Sequence, residues 1–204
     1  VLQDIREIGG FPAGGRVLVV AGKGHNGGDA LIAAAEILRR EGTAAADVHF
    51  VYGVPSIRPQ TMRAWRELQQ AFPARVREVP LPGFAAAYAV ALDGLFGYRY
   101  RPPLDDRARL ALKKVNALGV ALRAAVDLPS GWAEAGSFRA DFTYATGIVK
   151  APLLDLPNAG RLRYLDLGFF ASGNPKADAV LTPDALAPLR GWRDPQADKR
   201  KLGH

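Results

Sequence analysis

Hydrophobic and polar positions along the chain change period repeatedly, and each change predicts a new element. Arg16–Ala21 carries an unbroken apolar run, Val17, Leu18, Val19 and Val20, the pattern of a parallel strand covered on both faces. From Asp29 to Arg40 the period becomes helical. Leu31, Ala34, Ala35 and Leu38 share one face, Glu36, Arg39 and Arg40 point elsewhere, and Gly42 offers a stop. Val48–Tyr52 reads as a second buried strand. Pro59–Phe72 reads as a helix, with Met62, Trp65 and Leu68 at helical spacing and expected in the core. Arg75–Val79 and Tyr88–Leu92 are predicted as strands and Leu104–Leu118 as a helix. Ala121–Asp127, Asp141–Thr146 and Arg161–Asp166 follow as strands, and Asp178–Leu189 adds a strand and a turn of helix. Strands alternating with helices predict an α/β fold: a doubly wound, mainly parallel, Rossmann-like sheet with helices on both faces.

Ligands in such sheets bind outside the carboxyl ends of the strands. Gly22–Asp29 follows the first strand, Asp93–Gly97 follows the Tyr88 strand, and Asp127–Gly131 follows the Ala121 strand. All three loops are therefore expected to open on one edge of the sheet. The first is rich in glycine, which lets the backbone turn sharply and lets a ligand approach the free N–H groups at a helix start. Gly22 to Gly27 satisfies G-x-G-x-x-G, a weak signal by itself. A dinucleotide site also wants an acid at the end of the second strand to hold the ribose. Here that strand ends in Tyr52-Gly53, and Asp47 lies at its wrong end. The ordinary NAD reading loses ground, and a tight turn without a ligand stands beside it.

Composition changes little in this picture. With 204 residues, 49% hydrophobic and 23% charged, the chain suits one good-sized globular domain. No apolar run approaches the ~18 residues that span a bilayer, so no membrane association is expected. Cysteine is absent, which excludes disulfides and thiolate chemistry and leaves a cytoplasmic default. The net charge of +7 raises nucleic-acid binding. The densest basic set, Arg107, Arg109, Lys113 and Lys114, alternates with apolar residues as on a solvated helix face, which argues against it. The chain does not begin with methionine, so upstream residues are expected.

Several spaced motifs together resemble a known family. VLVVAGKGHNGGDALIAA is similar to the signature of the YjeF N-terminal domain, the NAD(P)H-hydrate epimerases, whose usual turn is G-x-G-N-N-G-G-D-G. Leu92–Gly97, Ala125–Gly131, Ala140–Thr143, Lys150 and Tyr164–Gly168 agree in order. The resemblance runs over residues 1–189, taken as one domain, with Val1–Ile8 as the remnant of a preceding helical segment. Residues 190–204 read as a basic linker, or as the start of a C-terminal domain like that of bifunctional hydrate-repair enzymes.

Asn26, Asp93 and Ser130 offer three hard oxygens from three loops, a set suited to an alkali or alkaline-earth cation. The resemblance makes that cation K+. Asp29 is expected to cap the helix. Asp127 is the candidate acid/base: partial burial favours its protonated form, and a neighbouring cation would oppose that. A structural role, bonding its own Pro-Ser-Gly turn, stands as the rival. By resemblance the substrate lies against His25, Asn26, Gly27, Gly28, Asp29, Gly97, Tyr98, Arg99, Tyr100, Arg101 and Asp127, with Arg99 and Arg101 able to grip phosphate. The implied activity is interconversion of the R and S hydrates of damaged NADH or NADPH. The implied partners are an ADP- or ATP-dependent dehydratase, fused or separate, and a second copy in a homodimer. The sequence departs from the family at His25, at Tyr98-Arg99-Tyr100-Arg101, and in a shortened stretch between Gly131 and Ala140. Those changes keep open a catalytically weak nucleotide-binding or scaffold module. A serine hydrolase using Ser130 and His25 is a third reading, without a G-x-S-x-G elbow to support it.

Overall fold

The computed structural model describes residues 1–168, of which Val1–Leu167 cluster as one unit. The readings placed on residues 169–204, including the Asp178–Leu189 element, lie outside the described residues. The elements are α1 (Leu2–Glu7), β1 (Arg16–Ala21), α2 (His25–Arg40), β2 (Ala45–Phe50), α3 (Pro59–Ala71), β3 (Val76–Glu78), β4 (Ala87–Gly94), α4 (Asp106–Asn116), β5 (Gly119–Val126), β6 (Phe142–Thr146) and β7 (Arg161–Leu165).

All seven strands pair in parallel, in the order β3-β2-β1-β4-β5-β6-β7. The chain runs outward from β1 through β2 to β3, then returns to β4 on the other side of β1. That reversal makes a crevice between the carboxyl ends of β1 and β4, where doubly wound sheets take their ligands. Ala21 is level with Gly94, Asp93 with Ala125, and Val126 with Tyr144, so the loops leaving β1, β4 and β5 start at one height.

β1 is apolar without alternation because both of its faces are covered. Val17, Val19 and Ala21 join one buried cluster with Leu31, Ala34 and Leu38 of α2 and Trp65 and Leu68 of α3. Leu18 and Val20 join the opposite cluster with Ala108, Ala111, Leu112 and Val115 of α4. A fully buried Val or Leu stabilises by about 1.5–3 kcal/mol, so this strand anchors both layers. Arg107, Arg109, Lys113 and Lys114 lie on the exposed face of α4. Among the described residues no helix is long and apolar enough to cross a membrane.

Several boundaries differ from the sequence reading. α2 begins at His25, not Asp29, because the glycine run itself takes up helical geometry. Its end is not a left-handed glycine: Glu41 caps it, its N–H bonding the Ile37 carbonyl. β2 spans Ala45–Phe50 instead of Val48–Tyr52, and β4 continues to Gly94. The connections after β5 and β6 contain turns and short 3-10 segments, with Phe138 packed on the α4 side.

Asp47, the third residue of β2, is wholly buried and accepts hydrogen bonds from Arg16, Arg77 and Tyr88. Burial alone would raise its pKa, but those donors outweigh it and hold the carboxyl below its ordinary value. Its stabilisation is therefore complete above the unfolded pKa, about 3.9, and is lost as pH falls through the lower folded value. Asp47→Asn should cost about 1–3 kcal/mol near neutral pH. Thermal melts should show the gap to wild type constant from pH 5 to 8 and shrinking below pH 4.

Candidate functional site

Two glycines decide how the loops meet. A Cβ on Gly22 would lie 1.9 Å from the Leu95 carbonyl oxygen. One on Gly94 would lie 2.5 Å from the Ala30 Cβ and 2.7 Å from the Asn26 carbonyl oxygen. Only glycine lets the turn after β1 pass against the turn after β4. From the outside, α3 clips the same turn: the Thr61 hydroxyl donates to the Gly24 carbonyl at 2.8 Å, and the Arg58 N–H donates to the Lys23 carbonyl at 2.8 Å.

Asn26, Asp93 and Ser130 then tie the three loops together. Asn26 Nδ2 donates to the Phe96 carbonyl at 2.7 Å and to the Val126 carbonyl at 3.0 Å. Asp93 and Ser130 are wholly buried. The Asp93 carboxylate accepts from the Ser130 hydroxyl (2.6 Å), the Ser130 amide (2.7 Å) and the Leu95 amide (3.2 Å). Burial pushes the Asp93 carboxyl up to about 6, against the lowering pull of those three donors. Among the described residues no cationic side chain pairs with it. Ser130 has no histidine partner and no solvent access, which removes the hydrolase reading.

Asp127 follows β5 in the left-handed region, with φ of 71°, as the only such non-glycine among the described residues. Asp and Asn tolerate that conformation better than other side chains. The backbone turn aims the carboxylate at three donors: the Tyr98 amide at 3.0 Å, the Thr146 hydroxyl at 3.1 Å, and the Lys150 ammonium. Lys150 also donates to the Thr146 carbonyl at 2.9 Å, so the ion pair is held from both sides.

This group lies in a cavity of about 730 Å³, large enough for a nucleotide. Of the expected binding residues, His25, Asn26, Asp29, Gly97, Tyr98, Arg99, Tyr100, Arg101 and Asp127 line it. Gly27 and Gly28 are buried beneath the turn, outside the lining. Tyr100 contributes only partly, since its side chain is buried, stacks on Phe96 and donates its hydroxyl to Glu134. Asp29 is not the helix cap, because α2 starts four residues earlier with Gly24 as N-cap. The residue is exposed as a whole but lines the cavity. Partial burial of its carboxyl raises its pKa, opposed by the His25 charge and reinforced by that of Asp127. The lining carries Lys23, His25, Arg58, Arg99, Arg101 and Lys150 against Asp29, Asp105 and Asp127, so basic groups predominate.

Residues 1–151 match the family described as YjeF-related protein N-terminus. The chain belongs to this family. Two of its similar relatives carry functional names. An NAD(P)H-hydrate epimerase of Bordetella pertussis is 38% identical over 121 residues, 59% of this chain and 50% of that protein. A bifunctional NAD(P)H-hydrate repair enzyme, Nnr, of Gloeobacter violaceus is 37% identical over 152 residues, 70% of this chain and 28% of that protein. The match thus spans half or less of these relatives' own length. The crystal structure of yeast ynu0 superposes with a TM-score of 0.57 at 18% identity, covering 74% of this chain and 65% of that one, which shows the shared fold.

In this YjeF-related chain the sequence reading missed Lys23, Arg58, Thr61, Tyr52, Asp105, Thr146 and Lys150 as cavity or loop-ordering residues. Thr146 and Lys150 were within reach, because the carboxyl-end rule applies to β6 as it does to β5. Thr61 carried no signal beyond its place in the first turn of α3.

The junction yields a direct test. Asn26→Ala removes two donors from loop carbonyls and should cost about 1–3 kcal/mol. Asn26→Asp should cost at least as much, because it sets carboxylate oxygens against two carbonyl oxygens. Chemical denaturation of the three proteins should give that order.

Proposed function

We propose that this domain epimerises hydrated NADH or NADPH, interconverting the R and S forms at the hydroxyl-bearing carbon of the damaged nicotinamide ring. The observation that carries the reading is Asp127, held in a left-handed turn by Lys150, Thr146 and the Tyr98 amide inside a basic, nucleotide-sized cavity. The names of the Bordetella and Gloeobacter relatives support it.

Breaking its C–O bond and remaking it from the opposite face inverts such a centre. The leaving hydroxyl takes a proton and departs as water, and the returning water gives one up, so the reaction balances without an external reagent. A carboxyl group beside the carbon serves both proton transfers, and Asp127 is placed for that work. Lys150 keeps its carboxylate oriented. The amino-terminal end of α2 and the guanidinium groups of Arg99 and Arg101 receive the phosphates.

What supports potassium at the loop junction is the donor type: Asp93 is a buried carboxylate without a cationic partner among the described residues, and the Ser130 hydroxyl and the Asn26 amide carry further hard oxygens. When bound, it would supply the missing positive charge and hold the three loops in register. By the same resemblance the enzyme is cytoplasmic, works as a homodimer and operates with a dehydratase, fused or separate.

Two measurements test this reading. At constant ionic strength the melting temperature should be higher in potassium than in tetramethylammonium, by mass action on the native state. Asp93→Asn should abolish that difference, and equal wild-type melting in both salts would remove potassium from the account. Asp127→Asn keeps size and the left-handed turn but cannot exchange a proton near neutral pH. Its hydrate interconversion should fall roughly 10²–10⁴-fold, while binding of an intact dinucleotide changes little. A wild-type rate equal to the spontaneous background would leave a binding module, the reading to which the substituted residues His25, Tyr98 and Arg99 at the cavity belong.

A further inference from the structure

Resting on the nucleotide reading above, we infer that the cavity selects the 2′-phosphorylated dinucleotide, and that Lys23 and Arg58 read the 2′-phosphate. In doubly wound sheets the carboxyl end of the second strand is where the adenosine ribose is recognised. An acid there accepts from the 2′-hydroxyl, whereas a basic residue there accommodates a 2′-phosphate. β2 ends at Phe50 and continues into Val51, Tyr52 and Gly53 without an acid. Its single carboxylate, Asp47, is buried three residues before that end and held by Arg16, Arg77 and Tyr88.

What the fold brings to that end is positive charge. The Arg58 N–H bonds the Lys23 carbonyl at 2.8 Å, so the start of α3 and the glycine turn sit against each other. Lys23 Nζ lies 4.3 Å from the centroid of the half-buried Tyr52 ring, which immobilises the ammonium at the end of β2. Arg58 and Lys23 are exposed and line the cavity. Neither makes an ion pair among the described residues. Asp105 accepts from the Tyr52 hydroxyl at 2.7 Å and from the Ala108 amide at 2.8 Å as the N-cap of α4, and its charge acts on Lys23 without a direct ion pair. Two cations outside any ion pair among the described residues suit a dianionic phosphate better than a bare 2′-hydroxyl.

Calorimetric titration with NADP+ and with NAD+, at matched ionic strength, tests the assignment. Wild type should bind NADP+ about tenfold or more tightly than NAD+, the scale of one added charge-assisted contact. Arg58→Gln and Lys23→Gln should each pull that ratio toward one. Arg66→Gln, on α3 but outside the cavity, should leave it unchanged and so controls for net charge. Equal affinity for the two dinucleotides, or a ratio that both variants preserve, overturns the inference and leaves the epimerase reading standing. Failure of both dinucleotides to bind overturns both.

Discussion

A carboxylate buried without a counter-charge governs how this molecule is assembled at its working edge. Asp93 stands on a central strand, shut off from water, and among the described residues has no positive side chain to lean on. Such a group stays folded only where donors are aimed at it. The Ser130 amide and hydroxyl and the Leu95 amide satisfy it, and they come from loops after different strands. Satisfying one oxygen pair therefore fixes the relative position of the β4 and β5 loops. Asn26 extends the same constraint to the β1 turn. The cavity is shaped because this junction must close.

Asp47 makes the contrast within the same sheet. It is as deeply buried, but two guanidinium groups and a phenol reach it, and its carboxyl is held low where that of Asp93 is pushed up. The sheet thus holds one aspartate that cements strands and one that cements loops. Environment alone divides the two roles.

Much of the fold was legible because parallel strands covered on both faces leave uninterrupted apolar runs, as Val17–Val20 does. The convergence of the three loops followed from topology. Boundaries were less legible where glycine intervened: nothing in Gly24 to Gly28 announces a helix, since tertiary packing against Thr61 and Gly94 imposes it. At the cavity, the residues missed were those whose role depends on partners distant in sequence. Lys150 becomes meaningful only when β6 sets it beside Asp127. Tyr52 does so only when Lys23 and Asp105 reach it from either side.

The loop after β4 is built in two tiers. Tyr100 turns inward, stacks on Phe96 at 5.0 Å between ring centroids and bonds Glu134, which also accepts from the Leu104 amide at 2.7 Å. Tyr98, Arg99 and Arg101 turn outward. One residue carries the anchorage and its neighbours carry the surface chemistry, so drift at 98, 99 and 101 is uncoupled from the integrity of the wall. A lineage can exchange the groups it shows to an anion without refolding the loop that displays them. Of the four residues by which this loop departs from the usual family pattern, Tyr98, Arg99 and Arg101 form that outward tier and Tyr100 is the anchor beneath it.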